Sequence, residues 1–242
     1  MKEKKLNGKK ILETIAKVGF SFFAAVLLVT AFGKADVEAA TKAQYYTKTY
    51  NYSKTYKGTC TIKDVEKYER IILKGNSDAV KKINSTLKKA WKDTVKHMPA
   101  GYAKNDCNYG TTDMTYINKF TSRVTYNKNN VISIVISNQW FQGGVADYGM
   151  DCYTFSLKTG KLLKLKDVCG SSNAKLTKEI KSKLVKKYGK SVFYPSSLDE
   201  ISASDVNFYL KPGKKAIVHF NKYEISYGAA GDFAVKLTSK YK

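Results

Sequence analysis

The chain has 242 residues and carries 43 Lys+Arg against 20 Asp+Glu, a formal net charge of +23. That length suits one substantial domain or two small ones, and a charge of that size favours polyanionic partners in a salt-sensitive way. All basic residues except Arg70 and Arg123 are lysine, a hydrated point charge rather than a planar fork, and they are spread along the chain, so nucleic acid is not the expected partner.

Residues 1–17 are Lys-rich, residues 18–32 form an uninterrupted small and apolar run, and Val37-Glu38-Ala39 offers small residues for cleavage. This order marks an export signal. The apolar run is shorter than the ~20 residues of a spanning helix. Residues 1–40 are therefore expected to be a signal peptide or an N-terminal membrane anchor, with everything after Ala40 outside the cell. Removing Met1–Ala39 takes away seven lysines and four acids and leaves +20.

Residues 41–242 read as one domain. In residues 41–61, Tyr50, Tyr52, Lys54 and Tyr56 share one parity, the pattern of an edge strand, and residues 68–73 are a second strand-like run. Asn76 or Ser77 then caps a helix whose Val80, Ile83, Leu87, Ala90, Trp91, Thr94 and Met98 form one apolar face, stopped at Pro99-Ala100-Gly101. Residues 101–110 read as a loop. Met114, Tyr116, Phe120, Val124 and Tyr126 keep one parity, and Asn127-Lys128-Asn129-Asn130 turns the chain into the next strand.

That strand opens the central stretch, residues 131–168. Ile132, Ile134, Ile136 and Trp140 lie on one side, with Ser133, Ser137 and Gln139 on the other. Gly143-Gly144 follows as a turn or bulge, or as a loop facing a ligand. Tyr153, Phe155 and Leu157 continue in strand period, and Lys158-Thr159-Gly160-Lys161 predicts a hairpin into a strand over residues 162–168. A second helix is expected over residues 171–188, with Leu176, Ile180, Leu184 and Tyr188 as its stripe, Ser172 as cap and Gly189 as stop. Residues 206–210 and 215–220 form a hairpin across Pro212-Gly213, and residues 232–237 are the last strand. The expected fold is α+β: an antiparallel β-sheet with two amphipathic α-helices packed against it, preceded by the N-terminal signal or anchor helix.

Catalytic patterns are weak. No GxSxG, HExxH or phosphate-binding glycine loop occurs, His219 reads as a satisfied strand histidine, and Asp147, Asp151 and Glu224 are the carboxylate candidates for a hydrolase, with nothing in their spacing to bring them together. The expectation is a non-enzyme without cofactor or metal. Four cysteines, Cys60, Cys107, Cys152 and Cys169, all follow the export signal and predict two disulfides. Sequence leaves the three connectivities open, with Cys152–Cys169 and Cys60–Cys107 the favoured set because each bridge staples a neighbouring piece of chain.

A set of short motifs then stands in order: Gly75-Asn76-Ser77 with Lys82-Ile83-Asn84, Val131-Ile132-Ser133-Ile134, Gly143-Gly144, and Phe155-Ser156-Leu157-Lys158-Thr159-Gly160-Lys161 with Leu165-Lys166-Asp167-Val168. Val206-Asn207-Phe208-Tyr209-Leu210, Phe220 and Tyr223-Glu224-Ile225 close the series. This resembles the RsiV-like extracellular domain family, which occurs in lysozyme-sensing anti-sigma factors and beside the catalytic domain of some peptidoglycan deacetylases. The resemblance implies a helix-on-sheet domain that binds a partner rather than catalysing a reaction. Val145-Ala146-Asp147 stands where the family has Ala-His after the glycines, and Ser226-Tyr227-Gly228 stands near the family's Pro-Tyr pair.

The combined expectation is a secreted or membrane-tethered, non-catalytic binding domain of the Gram-positive cell envelope. Its partner is an anionic cell-wall polymer or peptidoglycan, or a secreted protein such as lysozyme, and it meets the membrane only through the N-terminal segment. A peptidoglycan-modifying hydrolase is the alternative from another class. The ligand-binding residues expected are Trp140, Gly143, Gly144, Asp147, Tyr223 and Glu224.

Overall fold

The computed structural model describes residues 42–96 and 100–242; the expected signal or anchor helix lies outside them. No helix among the described residues is long and apolar enough to cross a membrane.

Two sheets carry the fold. The first has five strands in sequential order: β1 (Tyr45–Lys57), β2 (Thr61–Leu73), β3 (Met114–Lys128), β4 (Val131–Gln142) and β5 (Val145–Ser156). The second has three: β6 (Asn207–Lys211), β7 (Lys215–Phe220) and β8 (Phe233–Thr238). The α+β class stands, but the single antiparallel sheet does not. β2 and β3 run parallel, because a helical crossover, α1 (Asp78–Lys96) and α2 (Ala100–Asp106), lies between them. A parallel pair needs such a connection. The segment expected as a loop after Gly101 contains α2, which packs on β2.

The two long helices serve different sheets. Ser77 caps α1, its Oγ accepting from the Val80 amide at 3.3 Å. Ile83 and Leu87 of α1 then bury against Ile71, Leu73, Ile132, Ile134 and Phe155 of the first sheet. The second long helix is α4 (Asn173–Tyr188), capped by Ser172 and closed at Gly189. Its Leu176, Ile180 and Leu184 join Phe208, Leu210, Val218, Val235 and Leu237 in the largest core cluster. Each such side chain contributes about 1.5–3 kcal/mol by leaving water.

The hairpin expected at Lys158–Lys161 is a turn without a returning strand. Gly160 takes a positive φ of 70° and packs against the backbone of Ala79. Only Leu162 bridges back, to Phe155. The chain then enters a short helix, α3 (Leu165–Cys169), because the Asp167 carboxylate accepts the Lys164 amide at 2.9 Å and closes its first turn.

Side chains rather than backbone ladders join the two sheets. Asn207 accepts the Cys152 amide at 2.8 Å and donates to the Met150 carbonyl at 2.6 Å. Asn221 accepts the Met150 amide at 2.7 Å and donates to the same carbonyl at 3.1 Å. Two amides thus occupy the outer margin of β5. Deeper in, the fully buried Ser133 hydroxyl accepts the Leu210 amide at 3.0 Å and bonds Thr154 at 2.9 Å. The outer margin of β8 is covered in the same manner by α4: Lys183 donates to the Lys236 carbonyl and Lys187 to that of Ala234, while Tyr188 exchanges hydrogen bonds with Ala234. β1 is the remaining margin of the first sheet, and no described strand pairs with its outer side.

All four cysteines are free thiols in this structure. Cys60 and Cys107 belong to one small buried cluster with Ile62, Ala103 and Tyr116, and the Cys60 amide bonds the Cys107 carbonyl at 3.1 Å.

Candidate binding site

Gly143 and Gly144 are the two-residue turn between β4 and β5, with φ of 56° and 118°. Gln142 pairs with Val145 on either side of them. Positive φ at both central positions is the hairpin turn whose twist matches its strands, and glycine takes it without strain. Gly143 also lies close to the Met114 thioether, where a Cβ would collide, whereas Gly144 faces open space. The turn sets Trp140 directly across from Asp147.

Asp147 is drawn to the second sheet's loops. Lys222, just after β7, reaches its carboxylate at 3.3 Å, and this pairing raises the Lys222 ammonium above its ordinary pKa. The same ammonium lies 5.3 Å from the centre of the Tyr223 ring. Tyr223 has φ of 71°, a conformation bulky residues rarely adopt. Its ring lies over Gly228 so closely that any side chain at that position would run into it. Glu224 accepts the Asn221 amide at 2.9 Å, and Asn221 is the residue that also holds Met150. The expected residues Asp147, Tyr223 and Glu224 are thus brought to one region through Lys222 and Asn221, neither of which the sequence singles out. Trp140 belongs to the hairpin side of that region, and the glycines shape its turn without offering a side chain.

Beside it lies a cleft of about 290 Å³ walled by Glu200, Asp205 and Glu224, with Asn207, Phe220 and Ile225 among its lining. Glu200 ends α5 (Ser197–Glu200) and Asp205 follows it. Both come from the segment that connects α4 to β6. Three acidic residues thus line one opening in a chain of net charge +23. Exposed aromatics surround the region: Tyr148, Tyr223 and Tyr227, the last packed edge-on against Tyr194 at 4.6 Å.

The remaining chemistry is constrained. His219 is buried, with Nε2 3.2 Å from Asn221 Oδ1 and 3.5 Å from Asp232 Oδ2, as expected of a satisfied strand histidine. Burial pushes the Cys152 thiol up to about 12 and the Cys169 thiol up to about 11, so neither forms the thiolate a nucleophile requires at neutral pH. Asp151 is exposed on β5.

No family profile matches the sequence, and no curated protein matches it. Solved structures do resemble it. A DUF3298 family member from Bacteroides fragilis superposes with a TM-score of 0.57 at 15% identity, covering 81% of this chain and 91% of that one. A DUF3298 family protein from Pseudomonas aeruginosa gives a TM-score of 0.47 at 12% identity, with the same coverage. At these identities the Bacteroides likeness is one of fold: the chain has the architecture of a DUF3298 family protein.

Proposed function

We propose that the chain is a secreted or membrane-tethered, non-catalytic binding domain of the Gram-positive cell envelope, of the RsiV-like kind. The ordered motifs support the family reading. The observation that carries the binding role is the acid-walled cleft of Glu200, Asp205 and Glu224 beside exposed tyrosines, set in a lysine-rich surface. Two fields of opposite sign allow two contacts. The lysines retain the chain on anionic wall polymer, while the cleft receives a cationic group of a second molecule. Asp147 is held by Lys222 and Glu224 by Asn221, an arrangement suited to recognition more than to proton transfer.

A basic secreted protein such as lysozyme is the second reading. Net charge alone opposes that encounter, and the acidic cleft is the feature that favours it.

Sedimentation with purified cell walls tests the first contact: the chain should pellet at low salt and leave the pellet as salt rises. Size-exclusion with lysozyme tests the second. A complex that survives in wild type and is lost in the Glu200→Gln/Asp205→Asn/Glu224→Gln variant supports the cleft. Absence of both wall retention and any complex at micromolar concentrations overturns the proposal.

A further inference from the structure

Outside the residues that line the cleft, the helix-covered face of the first sheet contains a polar patch in which four oxygens have no partner among the described residues. It lies on the side of β2 and β3 where Ile62, Tyr68, Tyr116 and Phe120 are buried. Asp64 and Glu66 are two apart on β2 and so share this face. Asn118 stands directly across from Glu66 on the parallel strand β3. Asp64 and Asn118 are each 1% exposed and Glu66 is 8% exposed.

Both carboxylate oxygens of Asp64, Oε1 of Glu66 and Oδ1 of Asn118 are buried without a hydrogen-bond donor. Only Glu66 Oε2 has one, the Tyr68 hydroxyl at 2.8 Å. Neighbouring cations are turned elsewhere. Lys54 pairs in register with Asp64 from β1, but its ammonium lies over the Tyr56 ring, 5.0 Å from the centroid. Lys67 binds Glu69 at 2.7 Å.

We propose that Asp64, Glu66 and Asn118 bind a hard divalent cation of the calcium type. The four unpartnered atoms are all oxygens, with no imidazole or thiolate among them, which selects calcium or magnesium over zinc or copper. Two carboxylates neutralise a double charge, and the amide oxygen completes a protein half-shell that water extends toward the six to eight ligands calcium takes. Among the described residues no three His, Cys, Asp or Glu side chains gather as metal ligands; here the third ligand is an amide. Because β2 and β3 run parallel, the cation also ties together two strands separated by the whole α1–α2 crossover.

The test uses the full chain after chelator treatment. Calcium alone should raise its melting temperature by about 5 °C at 10 mM, given the 10⁻⁴–10⁻³ M affinities of extracellular calcium modules. Terbium should bind with luminescence sensitised by the nearby tyrosines, and calcium should displace it. Asp64→Asn and Asn118→Ala should each abolish both responses, while Glu200→Gln in the cleft, whose lining includes none of these residues, should leave them intact. Circular dichroism establishes that each variant is folded. A folded wild-type chain with no melting shift and no terbium emission overturns the proposal, leaving the two acids to share a proton. Responses that persist in Asp64→Asn overturn it equally, by placing the ion elsewhere.

Discussion

The layer built on β6–β8 and α4 differs from the layer under α1 and α2 in how its buried polar atoms are treated. Around the second sheet the core is large and apolar, and the polar groups at its margins meet Ser133, Asn207, Asn221, Lys183 or Tyr188. Among the described residues, seven side chains contain a buried polar atom without a partner, and six of them (Asp64, Glu66, Arg70, Trp91, Asn118 and Asn138) fall in residues 64–138. Asn173 is the exception. Unsatisfied buried groups cost roughly 1–3 kcal/mol each. The C-terminal layer thus satisfies its buried polar groups apart from Asn173, whereas the unpartnered ones gather in the N-terminal layer, around the site proposed for a cation.

Substitutions in the two layers should expose that contrast. The largest effect is expected at Phe233, 2% exposed and packed against Tyr188 and Phe193 at 4.9 and 5.2 Å. Phe233→Ala should lose about 3–5 kcal/mol in urea unfolding, and a loss below 1 kcal/mol would show that this core is not the scaffold described. In the other layer, oxidation is expected to bridge Cys60 and Cys107, which share a buried cluster and lie 47 positions apart. Such a closure contributes about 2–4 kcal/mol. Peptide mapping without reductant should recover the linked pair, and Cys60→Ser should lower stability only under oxidising conditions.

Between the layers, Ser133→Ala removes the acceptor for the buried Leu210 amide and should cost about 1–3 kcal/mol, with hydrogen exchange accelerating first at Leu210. The smallest effect has the opposite sign. In the metal-free chain the folded Asp64 pKa, about 6, stands above its ordinary 3.8, so the native state holds this proton more tightly. Its stabilising contribution is full below the lower value and is lost as pH rises through the higher one. Asp64→Asn should flatten stability between pH 4 and 6 and raise it at pH 7 by on the order of 1 kcal/mol. An unchanged pH profile would remove Asp64 as its source.

Sequence alone disclosed the parts governed by local rules. The stripes and caps of α1 and α4 and the Pro212-Gly213 turn are local signals, and they place helices and hairpin within a residue or two of where they stand. Pairing direction is not local. Nothing in residues 101–110 separates a loop from α2, so the parallel β2–β3 partnership was invisible. β2 also extends well before Tyr68, hidden because Asp64 and Glu66 occupy inward positions where strand period predicts apolar side chains. Residues 162–168 look like a strand in composition, but Asp167 closes a helical turn there. In the candidate site, Asp147, Tyr223 and Glu224 were visible as residue types next to glycines and aromatics. Lys222 and Asn221, which connect them, and Glu200 and Asp205, which wall the cleft, depend on contacts between distant segments and carried no signal of their own.

The covered margins of β5 and β8 have a consequence for assembly. Asn207 and Asn221 occupy the backbone of Met150 and Cys152 on one, and α4 lies along the other, whereas no described strand or side-chain clamp of this kind meets the outer side of Tyr45–Lys57. Thirteen residues of edge strand there can accept another strand by backbone pairing, so this margin is the one at which a second chain extends the first sheet.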